Sequence, residues 1–141
     1  MQTLASKVAL ITGGARGIGK ATALKLARAG ADVVIVYYSS AEEAEQLVQE
    51  IQALGRRAVA IKANVADEAS VKELLKQVQM HFDRLDILVS NAASGVLKPA
   101  LKMSTKHWRW CMETNALALN HLVTAERSSE NHPGYTVGLC A

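Results

Sequence analysis

The sequence predicts an α/β protein, a doubly wound parallel sheet enclosed by helices in three layers, α/β/α. Three observations carry this expectation. Short, continuous, β-branched apolar runs recur along the chain, as in strands buried on both faces. Each is followed by a stretch with apolar residues at helical spacing. The first run ends in a glycine cluster, "TGGARGIG", residues 12 to 19. With 141 residues, half of them hydrophobic and few aromatic, the chain has material for one aliphatic core.

The elements follow in order. "KVALIT" (7–12) is the first strand and runs into the glycine loop. A helix is expected from Ile18 to Arg28, stopped by Gly30. "DVVIVYY" (32–38) is the second strand. Ser39 or Ser40 can cap the next helix, which has Glu42 and Glu43 in its first turn, where acids suit the helix dipole. Its apolar stripe is Ala44, Leu47, Val48, Ile51 and Leu54, and Gly55 ends it. "RAVAIKANV" (57–65) is the third strand, and Asp67 caps a third helix with the stripe Val71, Leu74, Leu75, Val78 and Phe82. "LDILVSNAAS" (85–94) is a fourth strand entering a polar loop. After Pro99 the chain reads as helical from Ser104 to Arg127. No linker, repeat or low-complexity segment interrupts this order. Residues 1–127 form one domain core, and 128–141 an atypical tail.

Composition excludes some function classes. The net charge of +3 is small and spread over a mixed-sign surface, which argues against nucleic-acid binding. Cys111 and Cys140 match neither a metal spacing nor a disulfide framework, and are expected to be reduced thiols of a cytoplasmic protein. The N-terminal apolar run is too short for a signal peptide or a membrane helix.

The glycine loop has two readings. From Gly14 it nearly spells G-x-x-x-x-G-K-S/T, the triphosphate loop, but that loop needs a hydroxyl after the lysine for magnesium, and here Ala21 stands there. It also needs an acid at the C-terminal end of a later strand, whereas Asp86 lies near a strand's start. From Thr12 it spells T-G-x-x-x-G-x-G, with Gly13, Gly17 and Gly19 able to turn tightly beside a pyrophosphate at a helix N-terminus. Ligands of such sheets sit at the C-terminal strand ends. There "ANVAD" and "NAAS" each place an asparagine among small residues. Asn115, in "METNALAL", is an uncommon choice inside a helix because its amide competes for backbone partners.

This ordered set, over residues 5 to about 127, resembles the short-chain dehydrogenase/reductase family. The resemblance implies a Rossmann-type sheet and a nicotinamide cofactor. It implies that Gly13, Arg16, Gly17, Ile18 and Gly19 hold the cofactor's phosphates. Asn64 and Val65 would flank the adenine, and Asn91, Ala92 and Ala93 the ribose and nicotinamide. Asn115 is similar to the family's catalytic-network asparagine, which orders a water in a proton relay. An acid at the end of the second strand would select NAD, but Asp32 opens that strand and its far end reads Tyr37, Tyr38, Ser39, Ser40. Arg16 can fork onto a 2′-phosphate, so the expected cofactor is NADP(H).

The stretch "NAASGVLKPALKMSTKHWRWCMETNALAL" (91–119), with "NAASGVL-x-P" followed by "HW-x-W", is similar to the short-chain-type enoyl-[acyl-carrier-protein] reductases, type III. These reduce the 2,3-double bond of an acyl thioester on its carrier protein with NADPH. The alternatives are a 3-oxoacyl-[acyl-carrier-protein] reductase and a non-catalytic dinucleotide-binding fragment. Trp108 and Trp110 are expected to pack at a helix start or a subunit interface rather than touch substrate.

The sequence departs from the family after the asparagine helix. A complete member continues into a strand ending in serine, then a Tyr–Lys pair, spaced Y-x-x-x-K or, in enoyl reductases of this kind, Y-x-x-x-x-x-x-K. In "GYTVGLCA" (134–141) either a fifth strand is aligned, with Gly138 or Cys140 in the serine's place, or Tyr135 is the tyrosine. Neither spacing finds a lysine. The expected cause is a truncation, deletion or frameshift, leaving a sheet of four to five strands and exposed apolar surface on the last helix. The full-length enzyme is expected to be a homo-oligomer.

Overall fold

A computed structural model describes residues 3–127, together with the backbone of 136–139. Five parallel strands form one sheet in the order β3-β2-β1-β4-β5. They are β1 (Val8–Thr12), β2 (Asp32–Tyr37), β3 (Ala58–Lys62), β4 (Ile87–Ser90) and β5 (Thr136–Leu139). The helices between them are α1 (Gly17–Arg28), α2 (Ala41–Ala53) and α3 (Glu68–His81), and α4 (Thr105–Met112) and α5 (Ala118–Arg127) follow β4. The expected doubly wound α/β fold is the observed one. The strand order reverses between β1 and β4, which creates a crevice at their C-terminal ends.

Side chains alternate across the sheet, so each strand feeds two cores. Val8 and Leu10 of β1 face α3 and α5, together with Val34, Val71, Leu74 and Leu122. Ala9 and Ile11 face α1 and α2, together with Val33, Ile35, Leu47 and Ile51. Every residue of β1 is buried. Helix α1 turns Gly19, Ala23 and Ala27 inward, and these small residues let it lie close to the strands.

The N-terminal strand ends, opposite the crevice, are tied by ion pairs. Asp32 accepts from Arg56 Nε (3.1 Å), Arg56 Nη2 (2.6 Å) and the Arg57 N–H (3.0 Å). Its carboxylate therefore joins the start of β2 to the start of β3, away from the crevice. Asp86 accepts from the Val8 N–H (2.9 Å), Lys7 Nζ (3.3 Å) and Arg84, joining β4 to β1. Burial alone would raise the Asp86 pKa, but hydrogen bonds from Arg84, Val8 and Lys7, with the Arg84 charge, outweigh it. The carboxyl is held below the usual carboxylate range, and the Arg84 guanidinium is raised in return.

Several expected boundaries move. The third strand stops at Lys62, so Asn64 and Val65 lie in the turn after it, and β4 covers only four residues. Ser40 is the N-cap of α2 but its hydroxyl accepts no cap bond, whereas Asp67 caps α3 by accepting from the Ser70 N–H at 3.2 Å. Phe82 closes α3 in an extended conformation, buried beneath the Arg57 guanidinium, 4.5 Å from the ring centroid. The single helix expected from Ser104 to Arg127 is interrupted by a π turn at Glu113–Leu117, and a 3₁₀ turn at Ala100–Lys102 precedes it. Among the described residues no helix is long and apolar enough to cross a membrane. The short strand β5 pairs with β4 in register Leu88 to Val137, which agrees with the fifth-strand reading of the tail. Tyr135 and Cys140 lie outside the described residues.

Candidate functional site

The crevice at the strand-order reversal is a cavity of about 580 Å³. It lies where β1 ends in the glycine loop and β4 ends in Asn91. Thr12 fixes the distance between the two. Its buried hydroxyl accepts from the Asn91 N–H and the Ala92 N–H, both at 3.0 Å, and lies 3.5 Å from the Val89 carbonyl it can donate to. One donor and two acceptor sites are all a hydroxyl offers, so Thr12 is saturated. The Asn91 amide reaches back, donating from Nδ2 to the Thr12 and Gly13 carbonyls at 3.0 and 3.1 Å.

The loop geometry explains two of the glycines. A Cβ on Gly19 would stand 2.2 Å from the Gly13 carbonyl oxygen and 2.8 Å from Asn91 Nδ2, so only glycine fits beneath the loop. Gly17 has φ +56, the left-handed region, and a Cβ there would meet nothing within 4 Å because it faces the open crevice. Arg16 is the N-cap of α1, with no side chain capping the helix and no acid in the first turn. The helix N-terminus is thus open to an anion from the crevice. Lys20, which a triphosphate loop would aim at the phosphates, instead pairs with Glu50 of α2 at 2.7 Å, and the Thr22 hydroxyl donates to the Ile18 carbonyl within the helix. The loop therefore does not aim Lys20 at the crevice as a triphosphate loop would.

Most of the expected site residues meet here. Gly13, Arg16, Gly17, Ile18, Asn64, Val65, Asn91, Ala92 and Ala93 all line the cavity. Arg16 and Ile18 are exposed into it. Asn64 shapes the turn after β3: its Oδ1 accepts from the Ala66 N–H at 3.1 Å, and its own N–H donates to the Ser70 hydroxyl at 2.9 Å. Val65 is buried at the cavity wall. The far end of β2 contributes Tyr37, Tyr38, Ser39 and Ser40, without a carboxylate.

Two expected residues do not line the cavity. Gly19 lies beneath the loop as a spacer. Asn115 stands in the π turn, a distortion frequent at functional sites, and pairs with the backbone of Ser94. Its Oδ1 accepts from the Ser94 N–H at 2.7 Å and its Nδ2 donates to the Ser94 carbonyl at 2.8 Å. In this structure Asn115 therefore holds the segment that follows β4. Sequence reasoning missed Ser94, Thr114 and Trp110, which also line the cavity. No local signal marks them, because they reach the crevice through contacts distant in sequence, the Asn115–Ser94 pair and the Ser94 hydroxyl beside the Trp110 carbonyl. Trp110, expected in packing alone, is half exposed at the cavity mouth.

The short chain dehydrogenase family profile matches residues 7–131. Among curated relatives, hydroxynaphthalene reductase arp2 of Aspergillus fumigatus is 51% identical over 96 residues, 68% of this chain and 35% of the relative. The 3-oxoacyl-[acyl-carrier-protein] reductase FabG of Staphylococcus aureus is 46% identical over 105 residues, 74% of this chain and 42% of the relative. Among solved structures, a short chain dehydrogenase from Burkholderia cenocepacia in complex with NADP superposes with TM-score 0.84 at 41% identity, over 89% of this chain and 51% of that one. A blue fluorescent protein from a metagenomic library in complex with NADPH gives 0.85 at 38% identity, over 91% and 53%. The chain thus spans half or less of the length of these curated relatives and about half of these solved chains. With the motif, the strand order and the match across residues 7–131 in agreement, the chain belongs to the short-chain dehydrogenase family.

Proposed function

We propose that this chain forms the NADP(H)-binding part of a short-chain reductase. The observation that carries the reading is the crevice itself. An uncapped helix N-terminus, Arg16 and an acid-free β2 end meet on one side of it, and the Thr12–Asn91 clamp holds the other. Arg16 and the first N–H groups of α1 would hold phosphate, with Arg16 and Ser39 near a 2′-phosphate. Asn64 and Val65 would flank the adenine, and Asn91, Ala92 and Ala93 the ribose and nicotinamide. Two of the similar solved structures carry NADP or NADPH, which supports the choice. The cofactor, when bound, supplies the hydride; the chain supplies its orientation and, through Asn115 and Ser94, a fixed wall beside it.

For the acceptor we favour an enoyl thioester on acyl carrier protein, on the strength of residues 91–119. The similarity to a 3-oxoacyl-[acyl-carrier-protein] reductase supports the second reading, a ketone acceptor. The catalytic Tyr–Lys pair has no counterpart at either spacing within the 141 residues.

Titrating the protein with NADPH and NADH tests the cofactor reading. NADPH binds more tightly, and Arg16→Ala removes about tenfold of that preference, as loss of one charge-assisted phosphate contact would. Equal binding of both cofactors by the unsubstituted chain contradicts it. Reading the coding DNA past the Ala141 codon, and assaying any longer product with crotonyl and acetoacetyl thioesters, decides between the acceptors.

A further inference from the structure

Helix α4 opens with a capping box whose third helical position, ordinarily glutamate or glutamine, is His107. The His107 N–H donates to the Ser104 hydroxyl at 3.4 Å. In return the ring nitrogen Nδ1 lies 3.2 Å from the Ser104 amide nitrogen and 3.1 Å from the Ser104 hydroxyl. The other ring nitrogen, Nε2, lies 3.3 Å from Lys98 Nζ in the loop after β4. A glutamine keeps its acceptor oxygen at any pH, whereas an imidazole keeps an acceptor only while it is neutral. Either neutral tautomer serves here. In one, Nδ1 accepts from the Ser104 N–H; in the other, Nδ1–H donates to the Ser104 hydroxyl and Nε2 accepts from Lys98. The imidazolium accepts nothing. It would face Lys98 as a second cation and place positive charge at the positive end of the helix dipole.

The surrounding charge does not offset that cation. Lys106 and Arg109 flank His107 on α4, Lys102 precedes it, and Cys111 follows one turn on. Between Asp86 and Glu113 the sequence has no acid, and among the described residues none of these cations is in an ion pair. One turn beyond His107, Trp110 lines the cavity, its carbonyl 3.5 Å from the Ser94 hydroxyl.

We propose that His107 is a proton-sensitive latch on the cavity mouth. Neutral, it closes the first turn of α4 and holds Trp110 in place; protonated, it releases that turn. The Asn115–Ser94 pair keeps the far end of the helix anchored, so the loosening is confined to α4 and cofactor affinity holds. That this mouth is where an acceptor reaches the nicotinamide rests on the cofactor reading above; the latch itself does not.

The chain's two tryptophans, Trp108 and Trp110, both lie on α4, so their emission reports on this helix without any ligand. As pH falls from about 8 to about 5, the range in which histidine titrates, the emission is expected to shift to the red and quenching by acrylamide to rise. His107→Gln retains the capping box without the titration and should stay in the neutral-pH form throughout, while the chain's other histidines still titrate. His107→Ala should show the acid form already at about pH 8. At about pH 5 the first-turn amides of α4 should exchange about fivefold faster in the native chain than in the glutamine variant, the equivalent of one lost helix cap. The same pH response in the native chain and His107→Gln, or an alanine variant indistinguishable from the native chain at about pH 8, would overturn the latch. Failure of NADPH to bind at neutral pH would instead strike the cofactor reading, so the two failures are separable.

Discussion

The segment from Lys7 to Ala92 and the segment from Ser94 to Arg127 obey different rules. In the first, β1 and nearly all of β2 are buried on both faces, and each strand start on this edge of the molecule is tied by a carboxylate. In the second, among the described residues, only Ala118, Leu122 and Glu126 are buried, and Leu97, Leu101, Trp108, Trp110, Met112 and Leu117 are exposed. The first segment closes its own core. The second meets the sheet through α5 and the Asn115–Ser94 pair, and turns its remaining apolar groups outward. The crevice lies at the junction, with a rigid floor from one segment and a wall from the other. A substitution in the first segment should therefore be costly and global, and one in the second mild and local.

The largest effect is expected at Gly19. Gly19→Ala drives a methyl into the Gly13 carbonyl, destabilises the fold by about 3 kcal/mol and abolishes NADPH binding. Urea unfolding and a cofactor titration measure both, and a variant that binds NADPH normally would show the loop geometry to be misread.

Next is Asp86→Asn, expected to lose about 1.5–3 kcal/mol at pH 7. The folded carboxyl has a lowered pKa, so its contribution is present above the unfolded value and is lost as pH falls through the folded one. The difference between native and variant should thus shrink in acid, and unfolding curves at neutral and acidic pH that differ by the same amount would contradict the assignment.

Asn115→Ala probes the junction. It removes both bonds to Ser94, and the Ser94 amide should exchange with solvent about tenfold faster while global stability changes by less than about 1.5 kcal/mol. A drop in stability comparable to that of the Asp86 variant would erase the distinction between the segments. Ser104→Ala is the smallest, about 1 kcal/mol from the lost cap of α4. Helicity by circular dichroism should fall only slightly, and NADPH affinity should hold.

Much of this was legible in the sequence because it is local. The β-branched runs, the stripe Val71, Leu74, Leu75, Val78 and the glycine spacing each encode their own structure, and the strand ends then place Asn64 and Asn91 in one crevice. What was not legible depends on distant partners. The π turn at Glu113–Leu117 and the role of Ser94 follow from the Asn115 pairing across residues far apart in sequence. Thr12 stood inside the motif, but its clamp on Asn91 and Ala92 exists only once β1 and β4 are neighbours.

The central claim, that this crevice holds NADP(H), is tested most directly by energy transfer from the Trp pair to the reduced nicotinamide, since Trp110 stands at the cavity mouth. On adding NADPH to the folded chain, tryptophan emission should fall as nicotinamide emission rises, saturably, and at lower concentration than with NADH. Absence of transfer from a chain whose circular dichroism shows it folded, or competition by magnesium–ATP rather than NADP, would contradict the account.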